Sequence, residues 1–399
     1  MNNKKKVGIV SCYFQHNYGS MLQAYATQMA LDRLGYEYET IDISGFRGDI
    51  RKEKIKYFIK ASLTSDILFY KAGMAKSVIK KKFFQNTYAS LSKIRDRRFD
   101  GFSQSHFRLS ERYPSREALR NACAEKYSTV LVGSDQLWLP ANIAADYYTL
   151  SFVPDTLNTV AYATSFGQAS LPKDTAAKAS RFLKNIRHIG VREESGQKLV
   201  WELAKRHVPV VCDPTLLFSG DEWMTIQKQE PLIHGKYILC YFLGKNALHR
   251  EFAMNLKKAS GCRIAALPHL DEYMKEDENY ADELLYDIDP ADFINLIRNA
   301  EYICTDSFHC SVFSILYRKH FFTFRRYRKE TRQSTNSRLD SLFHILNIPE
   351  RLLAGTEPVT DCMKIETDYT DVWNRLEQMR SSSCRYLKSS LEDNGSTDL

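Results

Sequence analysis

Short apolar runs alternate with amphipathic stretches along most of the chain, the pattern of α/β layers. Val7-Gly8-Ile9-Val10 reads as a buried strand. Gly19-Ser20 follows, and Leu22, Ala26, Met29, Arg33 and Leu34 then fall at helical spacing until Gly35 stops the helix. Residues 38–43 read as a second strand. Between 47 and 110 the alternation gives way to a helical insertion, with Ile55, Phe58, Ile59 and Leu63 on one predicted face and Lys54, Lys56 and Lys60 largely off it. Strands return at 129–132, 159–164, 189–192 and 208–212, with a helix over 175–185. Gly220, Pro231 and Gly235 punctuate a polar passage at 219–235. A second alternating set follows, with strands at 237–243, 263–267, 301–305 and 320–324 and helices at 249–259, 290–299 and 308–317. Beyond residue 368 the spacing of Tyr369, Val372, Trp373, Leu376 and Met379 predicts one or two amphipathic helices, and 392–399 reads as a disordered tail.

Two such sets predict two Rossmann-like α/β domains. The first spans 1–225 and carries the insertion at 47–110, the second spans 236–347, and helices and a tail occupy 348–399. The length of 399 residues agrees, since a single core stops growing at roughly 250–300 residues. No apolar run reaches the ~20 residues of a membrane-spanning helix. The apolar part of the first fourteen residues is short and runs into Gln15-His16-Asn17 without a cleavage pattern, so it is expected to be a strand, not a signal peptide. The nine cysteines form no C-x-x-C pair, and Cys304 and Cys310 lack a second ligand pair. Reduced thiols in a cytoplasmic protein, with no metal site, are the expectation. The net charge of +8 is concentrated: residues 47–100 hold fifteen Lys and Arg against five Asp and Glu.

In open α/β sheets ligands bind beyond the carboxyl ends of the strands, which selects five segments. Asn17-Tyr18-Gly19-Ser20 opens a helix whose free N–H groups suit an anion or a sugar hydroxyl, with Ser20 as a candidate N-cap. It has neither the G-x-G-x-x-G nor the Walker pattern of nucleotide sites. Gly133-Ser134-Asp135-Gln136-Leu137-Trp138 places polar groups and a Trp at a strand end, fitting a sugar or phosphate pocket. Arg192-Glu193-Glu194-Ser195 puts a guanidinium where it can hold a carboxylate or phosphate through two nitrogens. Asp213-Pro214-Thr215 makes a good turn and cap. Thr305-Asp306-Ser307-Phe308-His309 follows a buried strand, so Ser307 caps an apolar helix and His309 sits in its first turn, where the helix dipole and a bound anion pull its protonation in opposite directions.

Together these segments resemble the polysaccharide pyruvyl transferase family. The resemblance rests on Gly8-Ile9 with Asn17-Tyr18-Gly19-Ser20-Met21-Leu22-Gln23-Ala24-Tyr25-Ala26, Gly133-Ser134-Asp135-Gln136-x-Trp138, Tyr162-Ala163-Thr164-Ser165-Phe166-Gly167, Val191-Arg192-Glu193-x-Ser195, Asp213-Pro214-Thr215-Leu216-Leu217 and Ser307-Phe308-His309, in that order. It covers about residues 7–45 and 127–347. Cys310 stands where the family often has glycine. The resemblance implies a fold similar to the GT-B glycosyltransferases, two Rossmann-like domains facing a cleft. It implies transfer of pyruvate from phosphoenolpyruvate, with no cofactor, to a sugar of a surface-glycan precursor as a cyclic ketal. His309 would be the acid, Arg192 and the Ser307–His309 block the donor site, and Asp135 the base or acceptor holder. Asn17, Gly19, Ser20, Gln136, Trp138, Ser195 and Asp213 complete the candidate binding set. Acceptors of this kind are often lipid-linked, which gives the basic stretch a reading as a peripheral membrane contact. No nucleic-acid module is present. The rivals are a GT-B-like glycosyltransferase using a nucleotide sugar and a non-enzymatic glycan-binding or assembly protein.

Overall fold

The computed structural model describes residues 6–61, 87–269, 274–277, 279–326 and 336–393. The apolar runs form two parallel sheets of six strands each, covered by helices on both faces. That is why the central strands are apolar throughout and do not alternate.

The first sheet is built from β1 (Lys6–Val10), α1 (Tyr18–Arg33), β2 (Tyr38–Asp42), α2 (Arg47–Ala61), α3 (Thr87–His106), β3 (Leu109–Arg112), α4 (Arg116–Lys126), β4 (Tyr127–Val132), α5 (Pro140–Ala145), β5 (Asn158–Thr164), α6 (Lys173–Asn185), β6 (His188–Val191) and α7 (Glu194–Ala204). Its strand order is β3-β2-β1-β4-β5-β6. The second sheet uses β7 (Tyr237–Tyr241), α8 (Ala247–Ser260), β8 (Arg263–Leu267), β9 (Glu283–Leu284), α9 (Pro290–Asn299), β10 (Tyr302–Thr305), α10 (Phe308–Leu316), β11 (His320–Phe324), α11 (Ser337–Ile345), β12 (Leu352–Leu353), α12 (Val359–Cys362) and α13 (Tyr369–Glu392). Its order, β12-β11-β10-β7-β8-β9, is the same doubly wound topology. In each sheet the order reverses between the first and fourth strands, β1 and β4 or β7 and β10. The registers Val10↔Val132 and Tyr241↔Thr305 bring those strands to a common end. The loops that leave them form the crevice.

One apolar core fills the space between the sheets. It takes residues from α1, α3, the turn at Pro214–Leu217, α9, α10 and α13. Tyr18 stacks on Phe293 at 4.6 Å and meets Tyr241 edge-on at 5.6 Å. Arg98 adds ion pairs to Asp289 at 2.9 Å, to Asp287 at 3.3 Å and to Asp292. The C-terminal helix α13, capped by Asp368, crosses back over the first sheet. There Ser383 Oγ accepts from Cys212 N at 2.9 Å, and Tyr386 Oη donates to the Ala161 carbonyl at 3.0 Å.

Three expectations change. The stretch from 47 to 110 is more than an added cover: Phe99 and Phe102 of α3 are core residues, Arg98 bridges to the second sheet, and β3 is an edge strand of the first. The predicted apolar face of α2 points outward, with Ile55 47% and Ile59 54% exposed. Ile50 is buried, and Lys54 lies over the Tyr148 ring. Leu63 and the lysines at 80–82 lie outside the described residues. Residues 208–212 form an extended arm beside β6 joined by a single bridge, Val191↔Val210, rather than a strand. No helix among the described residues is long and apolar enough to cross a membrane.

Candidate active site at the seam of the two sheets

Asp213 ends the extended arm beside β6, wholly buried. Its Oδ1 accepts from Thr215 N at 3.0 Å and from Thr215 Oγ1 at 2.7 Å, which starts the Pro214–Leu217 turn. Its Oδ2 accepts from Arg192 Nη1 at 2.7 Å and lies 2.8 Å from Ser134 Oγ and 3.4 Å from His309 Nε2. One carboxylate therefore gathers groups from β4, β6 and α10. Burial alone would raise the Asp213 pKa, but His309, Arg192 and Thr215 outweigh it and hold the carboxyl far below its usual range.

Asp135 follows β4 with φ of +84°, a left-handed backbone that Asp adopts more readily than most residues and that recurs at functional sites. Ser20 Oγ donates to its Oδ2 at 2.6 Å, Gln136 N donates to its Oδ1 at 2.8 Å, and Cys12 Sγ lies 3.6 Å away. Arg192 Nη2 is 3.7 Å from Oδ1. Burial opposes ionisation here too, yet Arg192, His309 and Ser20 keep the pKa below normal, so Asp135 is a carboxylate at neutral pH. Glu193 differs. It is fully buried, accepts from Ser165 Oγ at 2.8 Å and Phe166 N at 3.2 Å, and burial pushes its pKa up despite Arg192 and Ser165.

His309 is the second residue of α10, behind Ser307, whose Oγ accepts from Cys310 N at 3.4 Å. Its imidazole lies directly on Gly19 of α1: a Cβ at Gly19 would sit 2.0 Å from His309 Nδ1. Only glycine allows the two helix starts to meet. Arg192 and His309 therefore do not face each other across an open gap; they share Asp213. Arg192 is buried with its Cζ 4.7 Å from the centre of the Phe308 ring. Arg192 Nε, Arg192 Nη2, His309 Nε2 and one carboxylate oxygen of Glu193, Oε2, are buried here without a hydrogen bond, although Nη2 keeps Asp135 at 3.7 Å, Nε keeps Glu193 at 4.0 Å and Nε2 keeps Asp213 at 3.4 Å. Buried polar groups are normally paired, so the open N–H groups of Arg192 leave room for a further acceptor.

The remaining candidates sort by contact. Asn17, not Ser20, caps α1, accepting from Ser20 N at 3.1 Å and leaving the Ser20 hydroxyl for Asp135. Gln136 keeps its backbone on Asp135 while its unpaired Nε2 packs against Gly167. Ser195 lies in the first turn of α7 with Oγ buried and unpaired, and no described contact joins it to the cluster. Trp138 does not reach the crevice. It is fully buried between Phe166 and Phe182, and its Nε1 donates to the Tyr148 carbonyl at 3.0 Å. Cys310 is also core, with burial raising its thiol to about 12. Sequence reasoning gave Glu193 no role of its own and missed Cys12 and two arginines, Arg326 and Arg338. Arg326 follows β11, and its Nη2 donates to the Asp306 carbonyl at 3.0 Å.

Fold and site together define a two-domain α/β protein with a buried cluster of charged groups where both switch points meet. The family model for polysaccharide pyruvyl transferase matches residues 17–326, most of the chain, and the chain belongs to that family of transferases. Among solved structures, a UDP-N-acetylglucosamine 2-epimerase from Rickettsia bellii is similar with a TM-score of 0.51 at 11% identity, over 99% of both chains. The UDP-GlcNAc 2-epimerase of Neisseria meningitidis, solved with UDP-GlcNAc, scores 0.48 at 10% identity over 97% of this chain and 99% of that one. The glycosyltransferase SnogD from Streptomyces nogalater scores 0.41 at 11% identity over 98% and 99%. Likeness at this identity is a likeness of fold, two Rossmann-like domains. No curated protein matches the sequence.

Two predictions follow from the geometry. Gly19→Ala drives the His309 ring from its place, so the His309 ring resonances shift in an NMR spectrum of the folded variant; unchanged resonances would contradict the contact. Asp213→Asn strips the buried Arg192 of its carboxylate and costs about 3–5 kcal/mol at neutral pH. Because the folded pKa of Asp213 is depressed, its contribution is complete above the unfolded value of about 3.9 and is lost as pH falls below it. Urea midpoints between pH 7 and 3 are therefore expected to fall less steeply below pH ~4 in the variant. Parallel curves for the two proteins would rule this out.

Proposed function

We propose that the protein transfers pyruvate from phosphoenolpyruvate to two hydroxyls of one sugar in a surface-glycan precursor, lipid-linked in the pathway, as a cyclic ketal. The observation that carries this reading is the set of unpaired buried donors on Arg192 and His309, set among carboxylates that are already ionised.

In this reading His309 Nε2 gives a proton to the methylene carbon of the donor. The central carbon becomes electrophilic, and Asp213 supplies the counter-charge to the imidazolium that precedes this step. A sugar hydroxyl adds to that carbon, and its proton passes to Asp135, the more accessible carboxylate, whose side chain is 13% exposed. The carbon–oxygen bond to phosphate then breaks, inorganic phosphate leaves, and the second hydroxyl closes the ketal with loss of its own proton. One phosphoenolpyruvate and one diol thus give one ketal and one phosphate. Arg192 holds the donor's anionic oxygens, and the starts of α1 and α10 turn backbone N–H groups toward the same space.

Phosphate release from phosphoenolpyruvate in the presence of a panel of lipid-linked or aryl glycosides tests this. The wild-type protein is expected to release phosphate only when an acceptor is present. His309→Ala is expected to lower turnover by about 10²–10⁴-fold, the usual worth of a positioned proton donor. Wild-type rates from His309→Ala, or turnover of a nucleotide sugar and none of phosphoenolpyruvate, would refute it.

A further inference from the structure

Arg338 belongs to the first turn of α11, beyond the residues the family model matches. Leu339, Leu342 and Phe343 sink that helix into the shared core. Ser341 Oγ accepts from Glu194 N at 3.0 Å, which ties α11 to the loop that carries Arg192. Arg338 is therefore placed by packing rather than by its own charge. It is 8% exposed, and its Nε is buried with no hydrogen-bond partner.

The neighbouring cations each have a carboxylate. Arg192 has Asp213 at 2.7 Å, Arg326 has Asp306 at 3.6 Å, and Arg325 has Asp340 at 2.7 Å. The carboxylate adjacent to α11's first turn is thus already taken. Among the described residues no hydrogen bond or ion pair reaches the Arg338 guanidinium. Its clear contact is with an aromatic ring, its Cζ 5.7 Å from the centre of Phe308, the ring that Arg192 also approaches. Two buried guanidinium groups thus approach one phenyl ring beside His309.

We propose that Arg338 is a second donor-binding arginine: with Arg192 it holds a compact substrate bearing two anionic groups, a phosphate ester and a carboxylate. The proposal rests on the pyruvyl-transfer reading for the identity of that substrate. The electrostatics agree with it. Burial and the charge of Arg192 push Arg338 down to about 9, only partly offset by Asp135. A guanidinium stays protonated across the physiological range, so the shift expresses a cation in want of a counter-ion. A bound anion supplies it, and neutralises the repulsion between the two arginines at the same time. Removing an unpaired buried cation should not weaken the unliganded fold, in contrast to removing a paired one.

Calorimetric titration of wild-type, Arg338→Met and Arg338→Lys proteins with phosphoenolpyruvate and, separately, with inorganic phosphate tests this, alongside their melting temperatures. Arg338→Met is expected to bind both ligands at least about tenfold more weakly, the worth of one charge-assisted contact. Arg338→Lys is expected to recover part of the affinity, and unliganded Arg338→Met to melt no lower than wild type. In turnover the loss is expected in KM for phosphoenolpyruvate and not in KM for the acceptor. Wild-type affinity of Arg338→Met for both anions would overturn the proposal, as would an unliganded Arg338→Met that melts lower and binds as before. A wild-type protein that binds phosphate and not phosphoenolpyruvate would refute the pyruvyl-transfer reading, while the phosphate titrations would still decide for or against Arg338. A wild-type protein that binds neither anion would overturn both.

Discussion

The buried carboxylate of Asp213 is the constraint on which the rest of the site depends. It stands where the arm beside β6, the β4 loop and the start of α10 converge, and its Oδ2 is shared among Arg192, Ser134 and His309. Such a group is held in the protein interior only if its partners stay in place, because a buried charge that loses a partner is costly. The carboxylate therefore fixes Arg192 on one sheet and His309 on the other in one geometry. Gly19 completes the arrangement by letting the two helix starts touch. The continuous apolar core between the sheets, with Tyr18 on Phe293 and α13 strapped across the first sheet, holds the seam together.

Within that frame the charges are unevenly satisfied. Asp213 and Asp135 are held as carboxylates by hydrogen bonds and nearby cations, so neither needs anything from a ligand. Arg192 Nε and Nη2, Arg338 Nε and His309 Nε2 make no hydrogen bond. The guanidinium groups are thus the part of the site with most left to bind. A GT-B-like fold does not by itself distinguish a nucleotide sugar from a phosphorylated acid. On the proposed reading, two guanidinium groups on one ring beside a histidine serve a small, densely charged donor.

Much of this was legible in the sequence, for local reasons. A buried strand that runs straight into a cap and a helix start is a local pattern, and it located Asn17–Ser20 and Ser307–His309 at strand ends. Arg192 stood out as a guanidinium closing an apolar strand. What the sequence concealed depends on distant partners. Asp213 read as a turn because Thr215 satisfies one of its oxygens locally, while the other reaches residues 79 and 96 positions away in the chain. Trp138 read as part of a pocket because its polar neighbours are adjacent in sequence, but Tyr148 takes its N–H and the ring is core. The helical spacing of Ile55 and Ile59 named the wrong face of α2, and the chain's basic character hid that Phe99 and Arg98 join the two sheets. Arg338 had no local signal at all. Its meaning comes only from Phe308 and from the absence, among the described residues, of a carboxylate in hydrogen-bond or ion-pair contact with it.

The central claim is that one anionic donor is held at the seam by both halves of the molecule at once. Hydrogen exchange with and without phosphoenolpyruvate measures this directly. The account predicts slowed exchange together at 17–21, 134–137 and 308–311, that is, at loops of both sheets. Protection confined to one sheet, or none at all, would contradict it.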